Sequence, residues 1–125
     1  MPPERTDAAS LHDMRRAGEL VVRYIAGKTR DVYEQDQLLR DAVERRLEIV
    51  GEAARRISQA FLDAHSEVPW RKIMATRHIL AHEYDEIDND IVWQIATVYV
   101  PEMLEKIRPL IPPPPPDPEP ENSSS

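Results

Sequence analysis

From Leu39 to Phe61, apolar side chains return at steps of four and three without a break: Leu39, Val43, Leu47, Val50, Ala54, Ile57 and Phe61. At about 100° per residue such a row runs along one face of an α-helix. A second row, Leu38, Ala42, Ile49 and Ala53, widens the stripe. A helix that is apolar over two rows packs against two or more neighbours. One long central helix is therefore predicted, and the rest of the chain has to supply its cover. Gly51 falls inside this helix, where it costs about 1 kcal/mol against alanine. Its use there is a close approach of a second helix.

The flanking segments have the same period. Leu11, Met14, Ala17, Val21 and Tyr24 predict a first helix, capped by Ser10 and ending near Gly27 to Thr29. Asp36 is the expected cap of the central helix. Pro69 turns Val68 away from helical geometry, with Trp70 sealing the bundle end. A third helix is expected over Arg71 to Tyr84. The acidic turn Asp85 to Asn89 then caps a last helix carrying Val92, Ile95, Tyr99 and Met103, which Pro101 kinks or restarts and Pro109 ends. No period-two strand is visible, and three glycines are too few for a many-turned sandwich or barrel. The expectation is an all-α antiparallel bundle of four to five helices over residues 11–108. A flexible N-terminus (1–10) precedes it, and a disordered, Pro-rich acidic tail (109–125) follows.

Composition narrows the chemistry. The 125 residues include no cysteine, which excludes a disulfide scaffold, an iron–sulfur site and a thiolate zinc site. No leader-like segment and no long apolar run occur, so a cytoplasmic protein with no membrane partner is expected. The net charge is -7, whereas a general nucleic-acid binder is basic. Any contact with nucleic acid must rest on a local patch. Arg71, Lys72 and Arg77 form the candidate, with Arg45, Arg46, Arg55 and Arg56 as possible neighbours. The two Arg-Arg pairs also fit a plain solvated helix surface.

One segment departs from bundle chemistry: Arg77-His78-Ile79-Leu80-Ala81-His82-Glu83-Tyr84. On a regular helix Arg77 and Tyr84 lie nearly on one line and His78 and His82 share a face, while Arg77 and His82 stand about 140° apart. Three readings are open. His78 and His82 could bind a metal, but zinc needs a third ligand and only Glu83, Asp85 and Glu86 are near in sequence. The histidines could be structural, bonded near the acidic turn. Or the segment cleaves RNA without metal. Histidine can move the protons, and arginine neutralises the phosphorane. One histidine per chain serves poorly as both acid and base, whereas two copies supply both. Arg71 and Lys72 would hold flanking phosphates.

Arg77, four residues, His82, Glu83 and Tyr84 resemble the R-x4-H-x-Y motif of the HepT toxins in the HEPN superfamily. Gly51-Glu52-Ala53-Ala54 is similar to that family's G-E-A-A stretch. Pro69-Trp70 before Ile73, and Ile87 with Val92-Trp93 after the motif, fit the same pattern. The likeness covers residues 10–108. It implies a helical homodimer whose two motif segments face each other in a shared cleft. Arg77 and His82 would be the ribonuclease residues, acting on RNA with no cofactor. His78 stands where the superfamily has a polar residue, often asparagine, which leaves its role open between orienting substrate and carrying a proton. The resemblance further implies a toxin–antitoxin pair with a minimal nucleotidyltransferase of the MntA type, which transfers AMP from ATP onto the motif tyrosine, here Tyr84. A phosphate on Tyr84 would put negative charge and bulk beside Arg77. The alternative within the same family is a non-catalytic helical binding partner of a nucleotidyltransferase, which suits the acidic charge.

Overall fold

The computed structural model describes residues 5–80 and 87–113. Seven α-helices are found among them: α1 (Arg5–Ile25), α2 (Arg30–Gln35), α3 (Gln37–Arg55), α4 (Gln59–Ala64), α5 (Trp70–Leu80), α6 (Asn89–Gln94) and α7 (Val100–Ile107). A π-helical turn (Ile95–Tyr99) joins α6 to α7, and a 3-10 turn (Arg108–Leu110) follows α7. The described residues contain no strand. The architecture is the all-α bundle that the apolar periods require. α3 packs between α1 and α5, and α7 lies along α1.

The central row of α3 explains this arrangement. Val43, Leu47, Val50, Ala53 and Ala54 are all buried, so α3 is covered on two sides, as its double stripe predicts. Facing rows come from Leu11, Met14, Ala17 and Val21 on α1 and from Val100, Met103, Leu104 and Ile107 on α7, all buried. Leu38 departs from the pattern. It sits in the first turn of α3, 81% exposed.

Three boundaries differ from the sequence expectation. The first helix does not begin at a Ser10 cap: α1 already runs from Arg5, and Ser10 is buried within it. The cause is Asp7, a buried carboxylate that accepts hydrogen bonds from the Ser58 backbone N–H (2.8 Å) and the Ser58 hydroxyl (2.6 Å). The same contact explains the second difference. The row from Leu39 to Phe61 is not one helix. α3 stops at Arg55, and Ser58 caps α4 by accepting from the Phe61 N–H at 3.3 Å. Ile57 and Phe61 stay buried across this corner, so the apolar period survives a break that only the cap chemistry reveals.

The third difference is α2, in the polar stretch after α1. Gly27, at φ +74°, ends α1 in the left-handed conformation. Thr29 then caps α2, and Tyr33 of α2 is fully buried, its ring 5.4 Å from that of Trp93. Arg30 of α2 bonds Asp90 of α6, which ties α2 to the start of α6. The other expected caps form. Asp36 accepts from the Leu39 N–H at 3.0 Å, and Asp88 accepts from the Asp90 and Ile91 N–H groups.

Pro101 restarts the last helix. A proline at this point has no N–H to give and crowds the carbonyl four residues back. The chain answers with the wider π turn, in which the Val100 N–H reaches the carbonyl of Ile95. Trp70 opens α5, buried, with its indole N–H donating to the His65 carbonyl at 2.9 Å. It closes the bundle end against Phe61, whose ring centre is 6.3 Å away.

Candidate active site

α5 carries the first part of the Arg77–Tyr84 segment. Its seating on α3 depends on a single missing side chain. A Cβ placed on Gly51 would lie 2.9 Å from the Cβ of Arg77 and 3.2 Å from its backbone nitrogen, closer than side chains pack. Glycine at this position lets the backbone of α5 rest on α3 at the arginine itself. The helix-propensity cost of Gly51 is thus offset by a close approach, the use its mid-helix position predicts.

That approach decides where the guanidinium lies. Arg77 leaves α5 toward α3 and meets the next residue after the glycine. Arg77 Nε stands 3.9 Å from Glu52 Oε1, with the side chains 40% and 36% exposed. The contact is an ion pair too long to be a hydrogen bond. Both groups are reachable from solvent at one edge of the α3–α5 seam. A half-exposed guanidinium held by a loose counter-ion is a cation that an incoming phosphate can capture.

The remaining candidates distribute around α5. His78 is on its exposed face, as are Arg71 and Lys72. The Lys72 ammonium lies over the Tyr99 ring, 5.5 Å from its centre. Lys72 stands about 140° round the helix from Arg77, on the flank that lines a cavity of about 270 Å³ with Thr76, Ile79, Ile91 and Tyr99. The structure therefore brings Arg77 together with Glu52 and does not bring Lys72 beside Arg77. His82, Glu83 and Tyr84 lie outside the described residues, as do Asp85 and Glu86 of the metal reading. Of the two arginine pairs on and just after α3, Arg45 meets Glu48 at 3.5 Å and Arg56 meets Asp13 of α1 at 3.9 Å. Both are partly matched by local carboxylates. Glu52 is the residue that chemical spacing alone did not single out. The signal for it was the mid-helix glycine beside it.

Residues 14–110 match the family model described as HepT-like, ribonuclease HepT-like. The chain belongs to the HepT-like ribonuclease family. Relatives of this HepT-like chain include a Thermococcus cleftensis protein named "Probable ribonuclease HepT", 30% identical over 86% of this chain and 97% of its own length. A Caldanaerobacter subterraneus protein named "Putative RNase TTE0752" is 28% identical over 86% of this chain and 96% of its own. A third, from Methanocaldococcus jannaschii, is named "Gamma-glutamylcyclotransferase and putative RNase MJ0434". It is 33% identical over 78% of the HepT-like chain, which spans only 44% of that longer protein. No solved structure gives a significant match. Among the described residues, no helix is long and apolar enough to cross a membrane.

Proposed function

We propose that this HepT-like chain is the toxin of a toxin–antitoxin pair and cleaves RNA without a metal ion. The observation that carries the reading is the Gly51 seat, which delivers a half-exposed Arg77 guanidinium to one edge of the α3–α5 seam. Arg77 takes a non-bridging phosphate oxygen and neutralises the charge that grows in the phosphorane. His82, five residues on, gives its proton to the departing 5′-oxygen, a transfer suited to a group that titrates near neutral pH. Two copies pair so that guanidinium and imidazole groups from both meet over one strand in a shared cleft. The products are a 2′,3′-cyclic phosphate and a 5′-hydroxyl.

A minimal nucleotidyltransferase neutralises the toxin by transferring AMP to Tyr84. The added phosphate competes with RNA for Arg77. The family membership, and the Arg77, His82 and Tyr84 spacing in one segment, support this arrangement.

The test is cleavage of labelled RNA by purified protein in EDTA. Activity that persists in chelator, and that is lost in folded His82→Ala and Arg77→Ala proteins, is expected. Equal cleavage or equal growth inhibition by wild type and His82→Ala would refute the catalytic role and leave the chain a binding partner of the nucleotidyltransferase. After coexpression with a cognate nucleotidyltransferase, mass spectrometry should find AMP on Tyr84. Full neutralisation with Tyr84 unmodified would show masking by complex formation instead.

A further inference from the structure

RNA cleavage of this kind needs two proton transfers. The nucleophilic 2′-hydroxyl must lose a proton, and the 5′-oxygen must gain one. The proposed reading assigns one of these transfers to His82, and the structure supplies a second titratable group at the cation. Glu52 follows Gly51 directly on α3, and its Oε1 lies 3.9 Å from Arg77 Nε. The Gly51 close approach holds the backbones of the two residues together, so the pairing does not depend on two long side chains finding each other.

We infer that Glu52 is the catalytic base that accepts the 2′-hydroxyl proton. This rests on the ribonuclease reading above. When Arg77 grips a non-bridging oxygen at about 2.8 Å, the 2′-oxygen attached to the neighbouring sugar comes within reach of a carboxylate beside that guanidinium. A base needs to approach to about 2.6–3.2 Å. The contact between the two groups is a single loose one through Nε, not a two-pronged fork that would hold both carboxylate oxygens against the arginine. Arg77 binding phosphate therefore frees the carboxylate as it delivers the hydroxyl.

The step balances. The O–H bond of the 2′-hydroxyl breaks and its proton passes to Glu52. The 2′-oxygen electron pair forms the new bond to phosphorus. The bond from phosphorus to the 5′-oxygen breaks, and the leaving oxygen takes the imidazolium proton of His82. Exchange with water returns Glu52 to carboxylate and His82 to imidazolium. The base then comes from the chain that supplies the guanidinium, and the imidazole serves only as acid. Along the chain, Glu48 stands one turn before Glu52, and Arg55 and the Arg56 that ends α3 about one turn after it; on the packed helix α5, His78 follows Arg77. Of these, Glu48 is turned to Arg45 and Arg56 to Asp13.

The experiment measures kcat and KM against pH for the full chain on a short single-stranded RNA. A companion substrate carries a p-nitrophenyl leaving group in place of the 5′-nucleoside. Wild type should show a rising limb, where the base loses its proton, and a falling limb, where the acid loses its own. Glu52→Gln should fold as wild type by circular dichroism, lose about 10²–10⁴-fold in kcat with KM little changed, and lack the rising limb. Glu52→Asp should keep the limb at an intermediate rate. The activated substrate should rescue His82→Ala, which lacks the acid, and leave Glu52→Gln slow. Wild-type rates in Glu52→Gln, or a loss confined to KM with the rising limb intact, would overturn the assignment while the ribonuclease reading stands. A wild-type protein that cuts neither substrate would overturn both.

Discussion

Replacing Gly51 by alanine adds one methyl group at the seat of Arg77, and two opposing effects set its outcome. In a helix interior alanine is favoured over glycine by about 1 kcal/mol, so an open position would be stabilised by the change. Here the new Cβ would stand 2.9 Å from the Arg77 Cβ and 3.2 Å from its nitrogen, where ordinary contact begins at 3.4 Å. Neither neighbour is a flexible side-chain end, so α5 must back away by roughly half an ångström or repack, an overpacking cost of about 1–3 kcal/mol. The net expectation is a loss of about 1 kcal/mol, which lowers Tm by about 4–8 °C for a domain of this size. The effect on chemistry is larger in proportion. A catalytic group displaced by about 1 Å can cost about 100-fold, so roughly tenfold is expected in kcat/KM from the smaller shift. Urea unfolding and RNA cleavage on the same preparation give both numbers. A Gly51→Ala protein that gains about 1 kcal/mol of stability would refute the close approach of α3 and α5, since the sign of the stability change separates a crowded seat from an open one.

Asp7→Ala strips the Ser58 N–H and hydroxyl of their partner at the α3–α4 corner. Urea unfolding should show a loss of about 1–3 kcal/mol, and a change within experimental error would mean that α1 does not reach that corner. Tyr33→Phe should leave stability unchanged or raise it by about 1 kcal/mol, because the buried Tyr33 hydroxyl has no hydrogen-bond partner among the described residues. Burial pushes the pKa of that phenol well above its ordinary range, with Glu44 adding to the effect. The folded state thus holds the phenolic proton more tightly than the unfolded one. The associated stability is intact below about pH 10 and lost as pH rises beyond it, so the alkaline fall in Tm should be shallower in Tyr33→Phe. Leu38→Lys should move the unfolding free energy by no more than about 0.5 kcal/mol, since Leu38 is 81% exposed. A loss above 2 kcal/mol would put Leu38 in an interface.

The parts of the molecule legible from sequence are those governed by repetition, and those missed are governed by single contacts. The apolar row of α3 foretells its buried face from Val43 to Ala54 because each burial adds to the same stripe. It could not foretell the stop at Arg55, because Ile57 and Phe61 keep the period while Ser58 and Asp7, residues 51 apart in sequence, end the helix by hydrogen bonding. α2 was invisible for the same reason: six residues contain one buried side chain, Tyr33, and a single burial has no period. The candidate site divides along the same line. Arg77 is legible from its motif and Gly51 from its cost in mid-helix, but their juxtaposition belongs to two helices whose register no local pattern encodes. Once that register is known, Glu52 changes from one more charge on a solvated face to the carboxylate next to the Arg77 guanidinium. The acidic net charge of -7 then ceases to argue against an RNA substrate. On the proposed reading one well-placed cation is enough, and the carboxylate beside it would screen that cation from weakly held anions until a phosphodiester displaces it.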